Sequence, residues 1–323
     1  MTKTIPSGWI IKAGRSIWTQ IWQVMMSKLA PSSDNGEYQR PQSEFRNRVS
    51  SESESKHPPA VKRYRLYVGS TCPWAHRALV VRVLKGLEQT IDLVIVEADA
   101  DAGGWRLPAS EHSCQTLGEL YRYAKPGYAG RSTVPMLWDN QTYSIVNNES
   151  AEIIEILNAE FNQYATHPEL DLYPVELKDS IDQWNDVIYR TVNNGVYRCG
   201  FAQTQTAYDL AHQELFGTLD RINDLLATQS YLCGDSLTLA DVRLFTTLIR
   251  FDIVYHHLFK CNHKRIQDYP HLQPYLQKIY HLPGVAGTCN FTAIIRDYYG
   301  NLFPLNPGGI IPKLPDLTYL NPN

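Results

Sequence analysis

The 323-residue chain has no C-x-x-C pair, no apolar run long enough to span a bilayer and no excess of charge of either sign. Its six cysteines, Cys72, Cys114, Cys199, Cys233, Cys261 and Cys289, are too scattered for a disulfide framework, which points to a reducing compartment. Cys261 and His263 are too close together for the usual zinc spacings and have no second pair nearby, so no metal is expected. A net charge of −3 over this length gives no electrostatic footprint for nucleic acid. Lys12, Arg15, Thr19 and Gln20 break any secretory apolar core near the N-terminus. What remains is a cytoplasmic globular protein long enough for about two domains.

The first thirty residues hold Lys3, Lys12, Arg15 and Lys28 but no acid, and Trp18, Ile21, Trp22, Met25 and Leu29 recur at helical spacing. The spacing predicts an amphipathic helix packed on the protein body, with a targeting segment or membrane-surface anchor as the other reading. From Ala30 to Pro59 the chain is polar and turn-rich, a linker or extended arm. Tyr64–Val68 then reads as a strand, followed by a helix to about Leu87. Ile91–Glu97 is a near-continuous apolar run, expected to be a buried parallel strand. A loop-rich insert spans 98–131. Val134–Trp138 and Tyr143–Val146 form a hairpin around Asp139-Asn140-Gln141-Thr142, and a helix covers Ala151–Glu160. The order β-α-β-insert-β-β-α is that of a thioredoxin-like domain. Beyond Tyr173 the periodicity is helical, with Thr238-Leu-Ala-Asp241 as a capping box and a Pro/Gly-rich tail from Asn301. The expected class is α/β plus all-α: residues 1–60 an extension and arm, 61–165 the thioredoxin-like domain, 166–323 a helical domain.

Cys72-Pro73-Trp74-Ala75-His76-Arg77 sits where the first strand feeds its helix. With Pro73 at the first helical position, Cys72 is the N-cap, and the unpaired N–H groups there favour a nucleophilic thiolate. Ala75 occupies the position of a second cysteine, so an oxidised Cys72 needs an external thiol, in the cytosol most often glutathione. Thr133-Val134-Pro135 stands where a cis-proline in such folds frees the preceding backbone for a bound peptide. Glu149-Ser150 opens the next helix. Ser150 can cap it, its N-terminus suits a carboxylate, and Glu149 suits an ammonium group. Simple capping accounts for the pair equally well. His76 reads as a packing or surface histidine, and Cys199 and Cys233 as inert core thiols.

The ordered motifs CPWAHR, GW, GRSTVPMLWD, NNES, NNGVYRCGFA, FDIVYHHLFKCN and DYYG resemble the glutathionyl-hydroquinone reductases, or xi-class glutathione transferases. GEYQRPQSEFR is similar to the family's arm, and the likeness runs from about Gly36 to Pro304. It implies a homodimer that binds glutathione and glutathionylated hydroquinones without a permanent cofactor. The reaction implied is glutathionyl-hydroquinone plus glutathione giving hydroquinone plus glutathione disulfide. By resemblance, Cys72 is the nucleophile, and Trp105, Arg131, Ser132, Thr133, Val134, Glu149 and Ser150 bind glutathione. Tyr197 exchanges a proton with the substrate. Tyr255 and Tyr298 (or its neighbour Tyr299) help to lower the thiol pKa. A conjugating transferase using Ser70 or Thr71, and a non-enzymatic binding module on the same fold, remain the alternatives.

Overall fold

The computed structural model describes residues 7–52, 54–99 and 104–320; Lys3 of the basic leader and Gly103 of the GW segment lie outside them. A six-stranded sheet carries the first half of the chain. Its strands are β1 (Tyr64–Gly69), β2 (Asp92–Asp99), β3 (Gly104–Glu111), β4 (Cys114–Thr116), β5 (Met136–Asp139) and β6 (Ser144–Asn147), in the spatial order β4-β3-β2-β1-β5-β6. Of these strands, β1 and β2 alone run parallel, with α2 (Pro73–Leu84) as their crossover; α1 (Ser7–Leu29) precedes both. Strand β1 is buried almost throughout and lines the core. Helix α2 stops where Gly86 takes φ +64°, three residues short of the expected Leu87.

Two expectations fail here. Strand β2 is not buried: Val96 alone is fully covered, and Ile95 is 39% exposed. Packing of α2 over β1, with only a partial approach of α10 (Phe291–Asn301) to β2, leaves that apolar run half open. The insert is also not mainly loop, because it contains β3, β4 and α3 (Leu117–Ala124). Strand β3 is exposed along most of its length and contains Pro108, so it carries no alternating apolar signal. It exists because β2 offers it a ladder edge, through pairs such as Ala98 with Trp105. Helix α3 did leave a trace, a capping box joining Thr116 and Glu119 ahead of Leu117, Leu120 and Tyr121.

Helix α4 (Ser150–Ala159) closes the sheet-bearing half by packing on α2. The rest is helical: α5 (Lys178–Ile188), α6 (Gly195–Gly200), α7 (Gln205–Leu225), α8 (Leu239–Arg250), α9 (Leu272–Tyr280) and α10. The Thr238–Asp241 capping box starts α8 as expected. Two π-helical turns, Tyr189–Asn193 and Phe251–Tyr255, extend α5 and α8. The first carries Asn193 to Arg77 of α2 and the second carries Tyr255 to Tyr298 of α10, the kind of local re-aiming for which such turns are used. The tail is tied to α9, where His281 meets the Leu320 carbonyl at 2.6 Å.

Residues 30–59 form an arm, not a loose linker. Glu37 pairs with Arg198 of α6 at 2.7 Å, and Arg46 pairs with Glu152 of α4. Asn148 N–H donates to the Phe45 carbonyl, Phe45 N–H donates to Asn148 Oδ1, and Arg46 bridges Asn147 on the free edge of β6. The arm therefore covers an edge strand and straps the sheet to the helices. At its end His57, with Arg63, clamps the fully buried Asp139: His57 Nδ1 lies 2.8 Å away and Arg63 Nη2 2.6 Å.

The leader packs on the body over only part of its length, contrary to the expectation of a docked helix. Met26 is fully buried and Trp22, Met25 and Leu29 partly so, while the stretch from Gly8 to Gln20 is exposed apart from Ala13.

Candidate active site

Cys72 sits at the N-cap of α2 with extended backbone angles, its side chain capping nothing. The Cys72 N–H donates to Gly69 O at 3.0 Å, closing a tight turn off β1. Gly69 is required there, since a Cβ would meet the Trp105 ring at 2.2 Å. The Cys72 thiol, half-buried, donates to the Val134 carbonyl at 3.6 Å. The Val134–Pro135 bond is cis, as the sequence pattern led us to expect.

A cleft of about 250 Å³ opens beside Val134. Arg131, Thr133, Val134 and Ser150 line it, together with Arg40 and Ser43 of the arm. Thr133 is fixed by Tyr121, whose hydroxyl donates to its carbonyl at 2.8 Å, and by Asn148 Nδ2 at 3.3 Å to its hydroxyl. Arg40, 3.7 Å above the Trp74 ring, and Arg131 line the cleft against one acid, Glu44, which Lys125 neutralises, so the wall is cationic and suits a carboxylate ligand. Ser132, Glu149 and Trp105 do not line this cleft. Trp105 instead stands against Gly69 at the base of the Cys72 turn.

The expected capping role is reversed. Glu149 is the N-cap of α4, its carboxylate accepting from Ala151 N at 3.2 Å, and Ser150 is the first helical residue. A carboxylate reaches the free N–H groups here as a serine would, and the dipole rewards its charge. The other oxygen of Glu149 accepts from the arm's Ser43 at 2.8 Å.

Close enough to Cys72 for its charge to act on Tyr197 and Tyr298, the helices deliver a tyrosine cluster. Tyr298 Oη lies 2.6 Å from Tyr197 Oη and 3.0 Å from Tyr255 Oη. Tyr299 is elsewhere, its hydroxyl directed at Ile253 O at 3.5 Å, so of the two adjacent tyrosines it is Tyr298 that joins the cluster. Burial pushes all three phenols above their ordinary value; mutual repulsion and the neighbouring Cys72 push Tyr197 further. They are therefore protonated donors at neutral pH. Phe201 and Phe259 pack on Tyr197, giving an aromatic wall beside the phenols.

Sequence reasoning missed the group that holds the Cys72 turn in place. Arg250, wholly buried at the end of α8, donates to Thr71 O at 3.0 Å, Ser70 O at 3.2 Å and Thr246 O at 2.8 Å. Its fourth bond, 2.9 Å to His76 Nδ1, defines the histidine. A guanidinium only donates, so Nδ1 accepts and Nε2–H donates to Thr288 Oγ1 at 2.7 Å. His76 is thus a buried, neutral relay and not a loose packing residue; burial and then Arg250 hold its pKa well below the usual range. No local pattern marks Arg250, since an arginine at a helix end normally reads as a solvated C-terminal charge.

The arrangement brings a thiol at a helix N-terminus, a cationic cleft and an aromatic wall of neutral phenols to one place. It suits thiol exchange on a charged, thiol-bearing ligand that carries an aromatic group. Residues 71–160 match the glutathione S-transferase N-terminal domain, and residues 205–278 match the corresponding C-terminal domain. Glutathionyl-hydroquinone reductase PcpF of Sphingobium chlorophenolicum is 42% identical over 314 residues, covering 94% of this chain and 97% of that protein. Glutathionyl-hydroquinone reductase YqjG of Escherichia coli is 41% identical over 91% of this chain and 92% of its own length. The glutathione-bound structure of YqjG superposes with a TM-score of 0.81 at 42% identity, covering 86% of this chain and 95% of that one. The glutathione-S-transferase Xi of Phanerochaete chrysosporium does so with 0.83 at 44% identity, covering 88% and 94%.

Proposed function

The chain belongs to the glutathionyl-hydroquinone reductases, the xi class of glutathione transferases, and from that membership we propose how its own residues perform the reaction. The enzyme reduces glutathionyl-hydroquinones to hydroquinones at the expense of glutathione. Glutathione lies in the cleft, its peptide backbone against Val134 and its sulfur toward Cys72. Its γ-glutamyl carboxylate meets the N-terminus of α4 at Ser150, and its ammonium group is drawn toward the charge of Glu149, which stands just behind that lining residue. Arg131 and Thr133 complete one wall, Ser132 between them holds their spacing without lining the cleft, and Trp105 supports the Cys72 turn from beneath.

The Cys72 thiolate attacks the glutathione sulfur of the substrate. A sulfur–sulfur bond forms and the sulfur–aryl bond breaks, its electron pair going to the ring carbon, which takes a proton from Tyr197. Tyr298 re-protonates Tyr197 along their 2.6 Å contact, and Tyr255, 3.0 Å from Tyr298, extends the same chain of hydroxyls. Hydroquinone leaves, and Cys72 remains as a mixed disulfide with glutathione. A second glutathione gives up its thiol proton, which restores Tyr298, and its thiolate attacks the glutathione sulfur of that disulfide, releasing glutathione disulfide and the Cys72 thiolate. The observation that carries this reading is the placement of one thiol, with no second cysteine at position 75, beside both the cleft and the phenols.

Cytoplasmic residence, a homodimeric assembly and the division into 1–60, 61–165 and 166–323 belong to the same proposal. Turnover on a glutathionyl-hydroquinone tests the chemistry, with Cys72→Ala as control. Mass spectrometry after exposure to glutathione disulfide should find one glutathione on Cys72. Full turnover by the Cys72→Ala enzyme would refute the assignment.

A further inference from the structure

The leader helix α1 is fastened at one end only. Met26 is buried, Trp22 and Leu29 pack partly on the body, and Trp18 touches Phe303 of the tail at 6.0 Å between ring centroids. Ahead of that attachment Trp9 is 65% exposed, Ile10 55% and Ile17 58%, and beside it Val24 is 62% exposed. At about 100° per residue, Ile10, Ile17, Ile21 and Val24 fall within roughly 60° of one another. Lys12, Ser16, Thr19 and Gln23 occupy the other side. This is an amphipathic helix whose apolar stripe the fold leaves uncovered for four turns.

Its charge is as uneven as its polarity. Residues 1–33 hold four cations (Lys3, Lys12, Arg15, Lys28) and no acid. Removing those four from the chain's 30 Lys and Arg leaves 26 against 33 Asp and Glu, a net −7 for the remainder. An anionic surface therefore attracts the leader and repels the body, which orients the molecule as well as binding it. Isoleucine and tryptophan beside lysine and arginine, with no acid, is the composition that settles at a headgroup boundary. A second copy of the chain fits less well. Pairing the stripes of two such helices leaves Lys12 and Arg15 on their outer sides with no acid on either helix to meet them, so the contact makes no use of the leader's basic charge.

We propose that α1 is a peripheral anchor that lays its Ile10–Ile17–Ile21–Val24 stripe into an anionic phospholipid bilayer. The helix lies in the interface plane and does not cross it; among the described residues no helix is long and apolar enough to span a membrane. The binding itself involves no catalytic residue, so it stands or falls independently of the reductase chemistry.

The test is co-sedimentation of the full chain with large vesicles, of phosphatidylcholine alone or with about a third phosphatidylserine. Mixed vesicles should bind the protein at least tenfold more strongly, and raising salt from about 0.1 M to 1 M, which shortens screening from roughly 10 Å to 3 Å, should abolish the difference. The combined variant Ile10→Asp, Ile17→Asp, Ile21→Asp should lose the vesicles while keeping wild-type turnover. The charge variant Lys12→Glu, Arg15→Glu should lose the preference for phosphatidylserine. Equal binding to both vesicle types, or unchanged binding by the Ile→Asp variant, overturns the proposal. So does a wild-type chain that ignores vesicles while the Ile→Asp variant elutes as a smaller species, which would make α1 a contact between copies.

Discussion

Replacing Arg250 by methionine removes a buried cation while nearly keeping its volume. Four acceptors then lose their donor: the carbonyls of Ser70, Thr71 and Thr246, and Nδ1 of His76. Ser70 is half-exposed, so water can replace its bond, and the Thr246 carbonyl belongs to the helix that Arg250 itself ends. The Thr71 carbonyl and His76 Nδ1 are stranded, at about 1–3 kcal/mol each. A loss of about 2–6 kcal/mol is expected, a large share of the roughly 5–15 kcal/mol that holds a typical domain together. The kinetic consequence is sharper. Ser70 and Thr71 directly precede Cys72, so the unclamped turn lets the sulfur drift, and a displacement of about 1 Å costs on the order of 10²-fold in rate. The cleft is built on Thr133, Val134 and Ser150 and is not held by Arg250, so the KM for glutathione should move by less than about threefold. Arg250→Lys keeps the charge and reaches fewer acceptors, so it should fall between the two. Urea denaturation and steady-state turnover on each variant read both effects. An Arg250→Met enzyme within about 0.5 kcal/mol of wild type and with undiminished kcat would refute the clamp.

Tyr197→Phe should leave mixed-disulfide formation with glutathione disulfide intact and slow hydroquinone release by about 10²–10⁴-fold, read by single-turnover kinetics; equal slowing of both steps would make Tyr197 a positioning group. Asp139, whose pKa is drawn down to about 2 from 3.8, has burial working against it, outweighed by the bonds from Arg63 and His57. Its folded value is the lower one, so its contribution is complete above pH 3.8 and is lost as pH falls toward 2. The loss is about 2 kcal/mol, to be seen as an acid-unfolding step that Asp139→Asn lacks. His76 is likewise depressed, so its contribution is complete above about pH 6.5 and declines below it by at most about 1.4 kcal/mol per pH unit; His76→Gln should flatten that slope in denaturant titrations. Gly69→Ala drives a methyl into the Trp105 ring, so it should cost about 1–3 kcal/mol and red-shift tryptophan emission as the indole is pushed outward. Unchanged stability and emission would remove Trp105 from its place under the turn.

Residue order alone determined the local chemistry of this protein. A strand ending in Gly-Ser-Thr-Cys-Pro places a thiol at a helix N-terminus whatever surrounds it, and Ala75 forbids an internal disulfide. The hairpin around Asp139, the Thr238 capping box and the helical second half were equally legible, because each rests on periodicity or capping within a few residues. Strand β3 and the exposure of β2 were not, since an edge ladder and an uncovered face depend on a neighbouring element and leave no period of their own. Resemblance named the three tyrosines. Only folding sets Tyr298 against Tyr197, 101 residues away, and against Tyr255, 43 residues away, and separates it from the adjacent Tyr299. Arg250 reaches Thr71 across 179 positions, and Ser43 reaches Glu149 across 106. Short-range order encodes which residue can be a nucleophile, because backbone geometry repeats every few residues. Long-range packing decides which groups surround that nucleophile, because those contacts depend on how helices and arm close over the sheet.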